Sequence, residues 1–128
     1  MQNGTGPETK LKHDLFVEIE ALENHYRILS RYLAGNEYGS TEIRGNLHNF
    51  KDSLSRTSAY LLALYNLKGQ RVKIPWESLF TNLDHALATM ELAPPAKLRM
   101  AVQLALNMSD PKIEEVMSYL VNLKEYLK

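Results

Sequence analysis

The stretch LKHDLFVEIEALENHYRILSRYLAG, residues 11–35, decides the fold class of this chain. Its apolar side chains recur at steps of three and four residues, which is the period of one face of an α-helix. We expect a helix from about residue 7 or 9 to Ala34, with Gly35 as its left-handed C-terminal cap. The apolar face consists of Leu11, Leu15, Ile19, Leu22, Tyr26, Leu29 and Leu33.

A second apolar stripe lies on the same helix, roughly 90° to 120° away at about 100° per residue. A helix with apolar side chains on two flanks is either central in a bundle or part of an interface with another molecule. The stripe is therefore the candidate surface for a protein partner or for the second copy of a homodimer. Its members are Val17, Ala21, Ile28 and Tyr32.

The second long helix follows a short turn. Ser40 or Thr41 supplies the N-cap, and Glu42 adds a negative charge to the first turn, where the helix dipole favours it. An apolar stripe of helical period continues to Tyr65, and Gly69 closes the helix. Two long helices joined by a short turn are expected to lie antiparallel.

Three shorter helices complete the chain, each marked by proline. Proline suits the first position of a helix and disfavours helical conformation in the residue before it. Helix 3 is therefore expected to begin at Pro75 and to stop at Pro94, and helix 4 to cover about Pro95–Leu106. Asp110 is the expected N-cap of helix 5, with Pro111 at its first position.

The predicted fold is an all-α, antiparallel helical bundle of two long helices plus three shorter ones. Residues 1–6 are small and polar, and we expect a flexible N-terminus there. Residues 7–128 are then a single domain, since a chain of 128 residues is long enough to bury one hydrophobic core but not two.

Composition excludes several classes of function. Fifteen basic residues balance fifteen acidic ones, whereas nucleic-acid binding depends on clustered positive charge. Cysteine is absent, which removes disulfides, thiolate metal sites and cysteine nucleophiles. No apolar run approaches the roughly 20 residues of a membrane span, and no signal peptide is evident. We therefore expect a cytoplasmic protein that binds neither nucleic acid nor membrane.

The titratable residues show no spacing typical of an enzyme or a metal site. No two histidines are three or four residues apart, and none follows a glutamate at the Glu-x-x-His spacing of helical metal sites. No nucleophile elbow and no glycine-rich phosphate loop occur. We expect no metal and no cofactor. The four histidines are His13, His25, His48 and His85, and neither His25 nor His85 has a distinctive sequence context.

The stretch NLHNFKDSLS, residues 46–55, carries the most specific functional signal. His48 lies about 130° from the apolar stripe of helix 2 and should face water, with Arg44 one turn before it and Lys51 three residues after. Such an imidazole between two cations could accept a phosphoryl group. An ordinary solvated helix face, with a weak pair between His48 and Asp52, explains the same residues.

Residues 48–62 resemble the histidine-containing phosphotransfer domain, a helical bundle that relays phosphoryl groups between receiver domains without binding ATP. The resemblance implies that His48 is the phosphoacceptor and that Lys51 stabilises phosphoryl charge. Asp52 stands where that family has glycine, which adds bulk and negative charge beside the proposed phosphate. The matching residues are His48, Lys51, Ser53, Ala59 and Leu62.

Three functional hypotheses follow from the sequence. The leading one is a non-catalytic interaction or regulatory module that binds a protein partner or self-associates. The second is a phosphorelay protein that uses His48. The third is a helical ribonuclease or toxin component of the HEPN type, suggested by IPWESLFTNLDH; its catalytic spacing is missing, because only three residues separate Arg44 from His48 instead of four to six.

Overall fold

A computed structural model of the chain describes residues 6–69, 74, 76–92, 94–107 and 112–127. These residues form five α-helices and a short 3-10 helix, Pro95–Lys97, and contain no β-strand. The prediction of an all-α bundle with two long and three shorter helices is confirmed. The helices are α1 (Gly6–Leu33), α2 (Ser40–Leu67), α3 (Trp76–Leu92), α4 (Leu98–Asn107) and α5 (Ile113–Lys124).

The end of α1 follows the sequence prediction. Gly35 has a φ of +109°, which is the left-handed conformation that glycine adopts without a steric penalty. The amide of Gly35 donates to the carbonyl oxygen of Tyr32 at 3.1 Å, and the amide of Asn36 donates to that of Arg31 at 3.0 Å. This pair of bonds is a Schellman motif, and it turns the chain sharply into α2.

The helix beginnings differ from the prediction in two places. Gly39, with an extended backbone, is the N-cap of α2, so Ser40 is already helical. Helix α5 begins at Ile113 with Lys112 as its N-cap. The expected opening residues Pro75, Asp110 and Pro111 lie outside the described residues, as do Met1 to Thr5 of the expected flexible N-terminus, while Gly6 belongs to α1.

Helices α1 and α2 form an antiparallel hairpin. Glu18 bonds to Ser53, whereas His25, further along α1, bonds to Asn46, which is earlier in α2. Leucine and isoleucine from both helices are completely buried between them and the shorter helices. The largest buried side chains on the hairpin are Leu15, Ile19, Leu22, Leu29, Ile43, Leu47, Phe50, Leu54, Leu61 and Leu64.

Helix α4 is fastened to the C-terminal end of α1 through Arg99. Its guanidinium donates to the carbonyl oxygen of Tyr32 and lies 4.6 Å from the centroid of the Tyr32 ring. A cation is favoured at this end of α1, because the last carbonyl groups of a helix carry partial negative charge. The contact therefore combines a cap with a cation–π interaction.

Helix α5 runs antiparallel to α1, since Met117 lies beside Tyr26 and Arg27 while Lys124 contacts Glu20 and Glu23. A second contact, between Tyr119 and Tyr65, joins α5 to α2.

That attachment is a hydrogen bond of 2.8 Å between the hydroxyl groups of Tyr119 and Tyr65. Burial and this bond raise the pKa of Tyr119 to about 12. The Tyr119 hydroxyl is therefore uncharged at physiological pH, and α5 is held to α2 by a hydrogen bond at this point.

We expect Leu22→Ala to lower the free energy of unfolding by about 2 to 5 kcal/mol, because the Leu22 side chain is completely buried and its removal leaves a cavity. Val17→Ala on the same helix should change it by less than about 0.5 kcal/mol, since Val17 is 51% exposed. Urea denaturation monitored by circular dichroism measures both. Equal losses would contradict the placement of α1.

Candidate functional site

The interface between α1 and α2 contains buried polar side chains. The Ser53 hydroxyl, which is completely buried, donates to Oε2 of Glu18 at 2.7 Å. Arg56 binds the same carboxylate through two nitrogens, with Nε 2.7 Å from Oε1 and Nη2 3.3 Å from Oε2. Thr57, also buried, donates to the carbonyl oxygen of Ser53 at 2.8 Å. The carboxylate of Glu18 on α1 is thus bound by Ser53 and Arg56 of α2, and it joins the two helices.

The environment of Glu18 alters its acidity. Burial raises the pKa of this carboxyl, but hydrogen bonds from Arg56 and Ser53 and the positive charge of Arg56 outweigh that effect, so the pKa is lowered overall. A carboxylate that is held in its charged form contributes stability to the hairpin.

A second polar contact, one to two turns away, pairs Asn46 with His25. The Asn46 side-chain amide donates to the carbonyl oxygen of His25 at 2.8 Å, and its Oδ1 lies 3.2 Å from Nδ1 of His25. Since an amide oxygen can only accept, Nδ1 of His25 acts as the donor in this contact. Sequence reasoning missed this role of His25. The available signal was Asn46, a polar residue between Ile43 and Phe50 on the buried face of α2.

The residues of the phosphotransfer resemblance are only partly brought together. His48 is exposed on the outer side of α2, as predicted, and Arg44 is half-buried one turn before it. Lys51, however, forms an ion pair with Asp84 of α3. Ser53 is buried in the hairpin interface and does not share a surface with His48. The outer row of α2 around His48 has the exposed Gly45 before it and the exposed Asp52, Ser55 and Ala59 after it.

The predicted partner-binding stripe of α1 does not form one continuous exposed surface. Val17 is 51% exposed, Ala21 and Ile28 are half-buried, and Tyr32 is only 8% exposed beneath Arg99. Of the four residues of this stripe, only Val17 is therefore largely exposed. Whether the stripe contacts a partner stays a prediction.

A groove of about 560 Å³ runs between α1 and α5, on a surface that the sequence did not single out. Tyr26, Met117 and Val121 provide its apolar lining, and Val121 is 36% exposed. Polar and charged side chains line the rest of it. They are Glu23, Arg27 and Ser30 from α1 and Glu114, Ser118 and Asn122 from α5.

Lys124 links the two helices at one end of the groove. Its Nζ bonds to Oε1 of Glu23, lies 3.8 Å from Oε2 of Glu20, and stands 5.5 Å from the centroid of the Phe16 ring. The hydrogen bond that Nζ donates to Glu23 and the negative charges of Glu23 and Glu20 raise the pKa of Lys124 and outweigh the opposite effect of burial. The carboxylate of Glu23 is therefore already paired with a cation of the same chain, Lys124.

Among the described residues, no group of three or more histidine, aspartate or glutamate side chains is placed to hold a metal ion. Within the same part of the chain, no helix has the length and apolar character needed to cross a membrane. No protein-family model matches the chain, and no curated protein or solved structure is significantly similar to it.

We expect Glu18→Gln to remove part of the acid sensitivity of the fold. The folded-state pKa of Glu18 lies below its ordinary value of 4.5, so its contribution is present above that value and is lost as the pH falls through the folded-state pKa. The variant should be less stable at pH 7 and should lose less further stability on acidification.

Chemical denaturation at a series of pH values between neutral and acid measures this difference. Glu37→Gln, in the exposed turn between α1 and α2, is the matched control and should follow the unmodified protein. An unchanged acid dependence in Glu18→Gln would show that this carboxylate is not the group responsible.

Proposed function

We propose that this chain is a small non-catalytic helical module that binds a protein surface, its own or another, through the groove between α1 and α5. The observation that carries the proposal is the combination of an apolar lining with a polar border on an open helical surface. Protein interfaces have this organisation, with an apolar core inside a polar rim.

The residue types in the groove support a protein ligand. Tyrosine, methionine and arginine are enriched in the cores of protein interfaces. Here Tyr26, Met117 and Arg27 line one short groove. The exposed Val121 gives a partner an apolar side chain to bury, and removal of apolar surface from water favours association.

The ion pairs between helices support a non-catalytic function. Glu18 and Arg56 join α1 to α2, Lys51 and Asp84 join α2 to α3, and Lys124 joins α5 to α1. Charged groups that are engaged in such contacts are poorly suited to proton transfer or nucleophilic attack, which need a pKa matched to the task.

The first test uses single cysteines, since the chain has none of its own. Ser118→Cys places a thiol in the groove, and Ser55→Cys places one on the exposed outer row of α2. Each variant is labelled with a benzophenone maleimide and irradiated, first as purified protein and then in an extract of the source cells. We expect a discrete protein adduct from the groove position only.

The control decides between the two surfaces of the molecule. An adduct from the Ser55→Cys variant alone would move the binding surface to the His48 side of α2, and no adduct from either variant would contradict the proposal. Circular dichroism of the labelled proteins confirms that both remain helical.

A second candidate function, phosphoryl transfer through His48, is supported by the exposure of this imidazole and by small residues further along the same side of α2. A Cβ added at Gly45, one turn before His48, would meet no atom within 4 Å, and Ser55 and Ala59 leave further room along the helix. A receiver domain could approach such a row closely. The ion pair of Lys51 with Asp84 and the negative charge of Asp52 oppose the assignment.

If His48 accepts phosphate, incubation with phosphorylated receiver domains should give acid-labile labelling of the chain, and His48→Gln should abolish it. His13→Gln is the matched control, because His13 is also an exposed histidine on a long helix. Labelling that persists in His48→Gln, or that disappears in His13→Gln, would exclude His48 as the acceptor.

A further inference from the structure

We propose that the groove between α1 and α5 binds a second copy of this chain, with α1 of each copy lying over α5 of the other. This inference rests on the proposed binding function of the groove and names its partner. It follows from the charges on the two walls of the groove, from the absence of net charge, and from the position of the apolar side chains.

The two walls of the groove carry opposite charges. Arg27 projects from the α1 wall and Glu114 from the α5 wall, and both side chains are exposed. Among the residues that the structure describes, neither forms an ion pair. Glu23 differs from them, since Lys124 already neutralises it. One cation and one anion are therefore available to an incoming surface.

A surface with the same two charges can complement this pattern. In a symmetric dimer the same patch occurs on both copies, so each residue of one copy faces a residue of the other. A two-fold axis along the groove places the α1 wall of each copy over the α5 wall of the other. Arg27 of each copy then lies near Glu114 of the other copy, so the dimer contains this charge pair twice. An axis across the groove would place the two Arg27 side chains together, which like-charge repulsion disfavours.

The remaining surface properties agree with self-association. The chain has a formal net charge of +0, so two copies approach without overall repulsion. Val121 lies in the groove and is 36% exposed, and contact with the other copy would remove it from water together with the exposed part of the half-buried Tyr26. A strongly charged partner would gain attraction from only one wall and repulsion from the other.

The test is sedimentation velocity of the purified protein over a concentration series. We expect a monomer–dimer equilibrium that Arg27→Glu and Glu114→Arg each weaken about tenfold, because every dimer contains the charge pair twice. The double variant restores opposite charges on the two walls and should recover most of the affinity. Glu115→Arg, an exposed neighbour on α5 that does not line the groove, is the matched control and should leave the dimer intact.

Salt provides a second measurement that needs no substitution. Raising the ionic strength from about 0.1 M to 1 M shortens the screening length from about 10 Å to 3 Å and should weaken the unmodified dimer more than either single variant. A protein that stays monomeric at every concentration would overturn the inference, as would a dimer that responds equally to Glu115→Arg or is not restored in the double variant.

The outcome also separates this inference from the function on which it rests. A monomeric protein whose Ser118→Cys variant forms an adduct with a different protein would retain the groove as a binding site and exclude the second copy as its occupant. A monomeric protein without any adduct would remove both.

Discussion

Hydrogen bonding between the buried polar side chains of α1 and α2 is the constraint on which the rest of the structure depends. Ser53 and Arg56 both bind Glu18, and Asn46 binds His25. Leucine side chains pack acceptably in several registers, but each of these polar groups finds its partner in only one. A shift of one turn would leave the buried Ser53 and Asn46 without these partners, at a cost of about 1 to 3 kcal/mol each. The hairpin is therefore held in a single register.

The shorter helices pack against the hairpin of α1 and α2, and each is attached to it by a different chemical contact. Arg99 caps α1 and covers Tyr32, Asp84 pairs with Lys51, and Lys124 of α5 binds glutamates on α1. These charged side chains thus serve the assembly of the bundle. The groove between α1 and α5 differs, because there an apolar lining and two charged side chains face the solvent.

The helices could be predicted from the sequence because periodicity and capping are local properties. The predicted apolar face of α1 packs against the core: four of its side chains are completely buried and the other three are half-buried. Gly35 adopts the expected left-handed conformation. The groove could not be predicted, since it depends on which face of α1 packs against α5. Tyr32 shows the same limit: it belongs to a second apolar stripe in the sequence, and the approach of Arg99 buries it.

Gly45 has a consequence for the thermal tolerance of the molecule. It lies inside α2 at an exposed position where a methyl group would touch nothing, so no packing requirement explains it. Glycine in a helix is less favourable than alanine by roughly 0.5 to 1 kcal/mol, because the unfolded chain loses more conformational freedom. Replacement of Gly45 by alanine should therefore stabilise α2, and with it the fold, without any repacking of the interior.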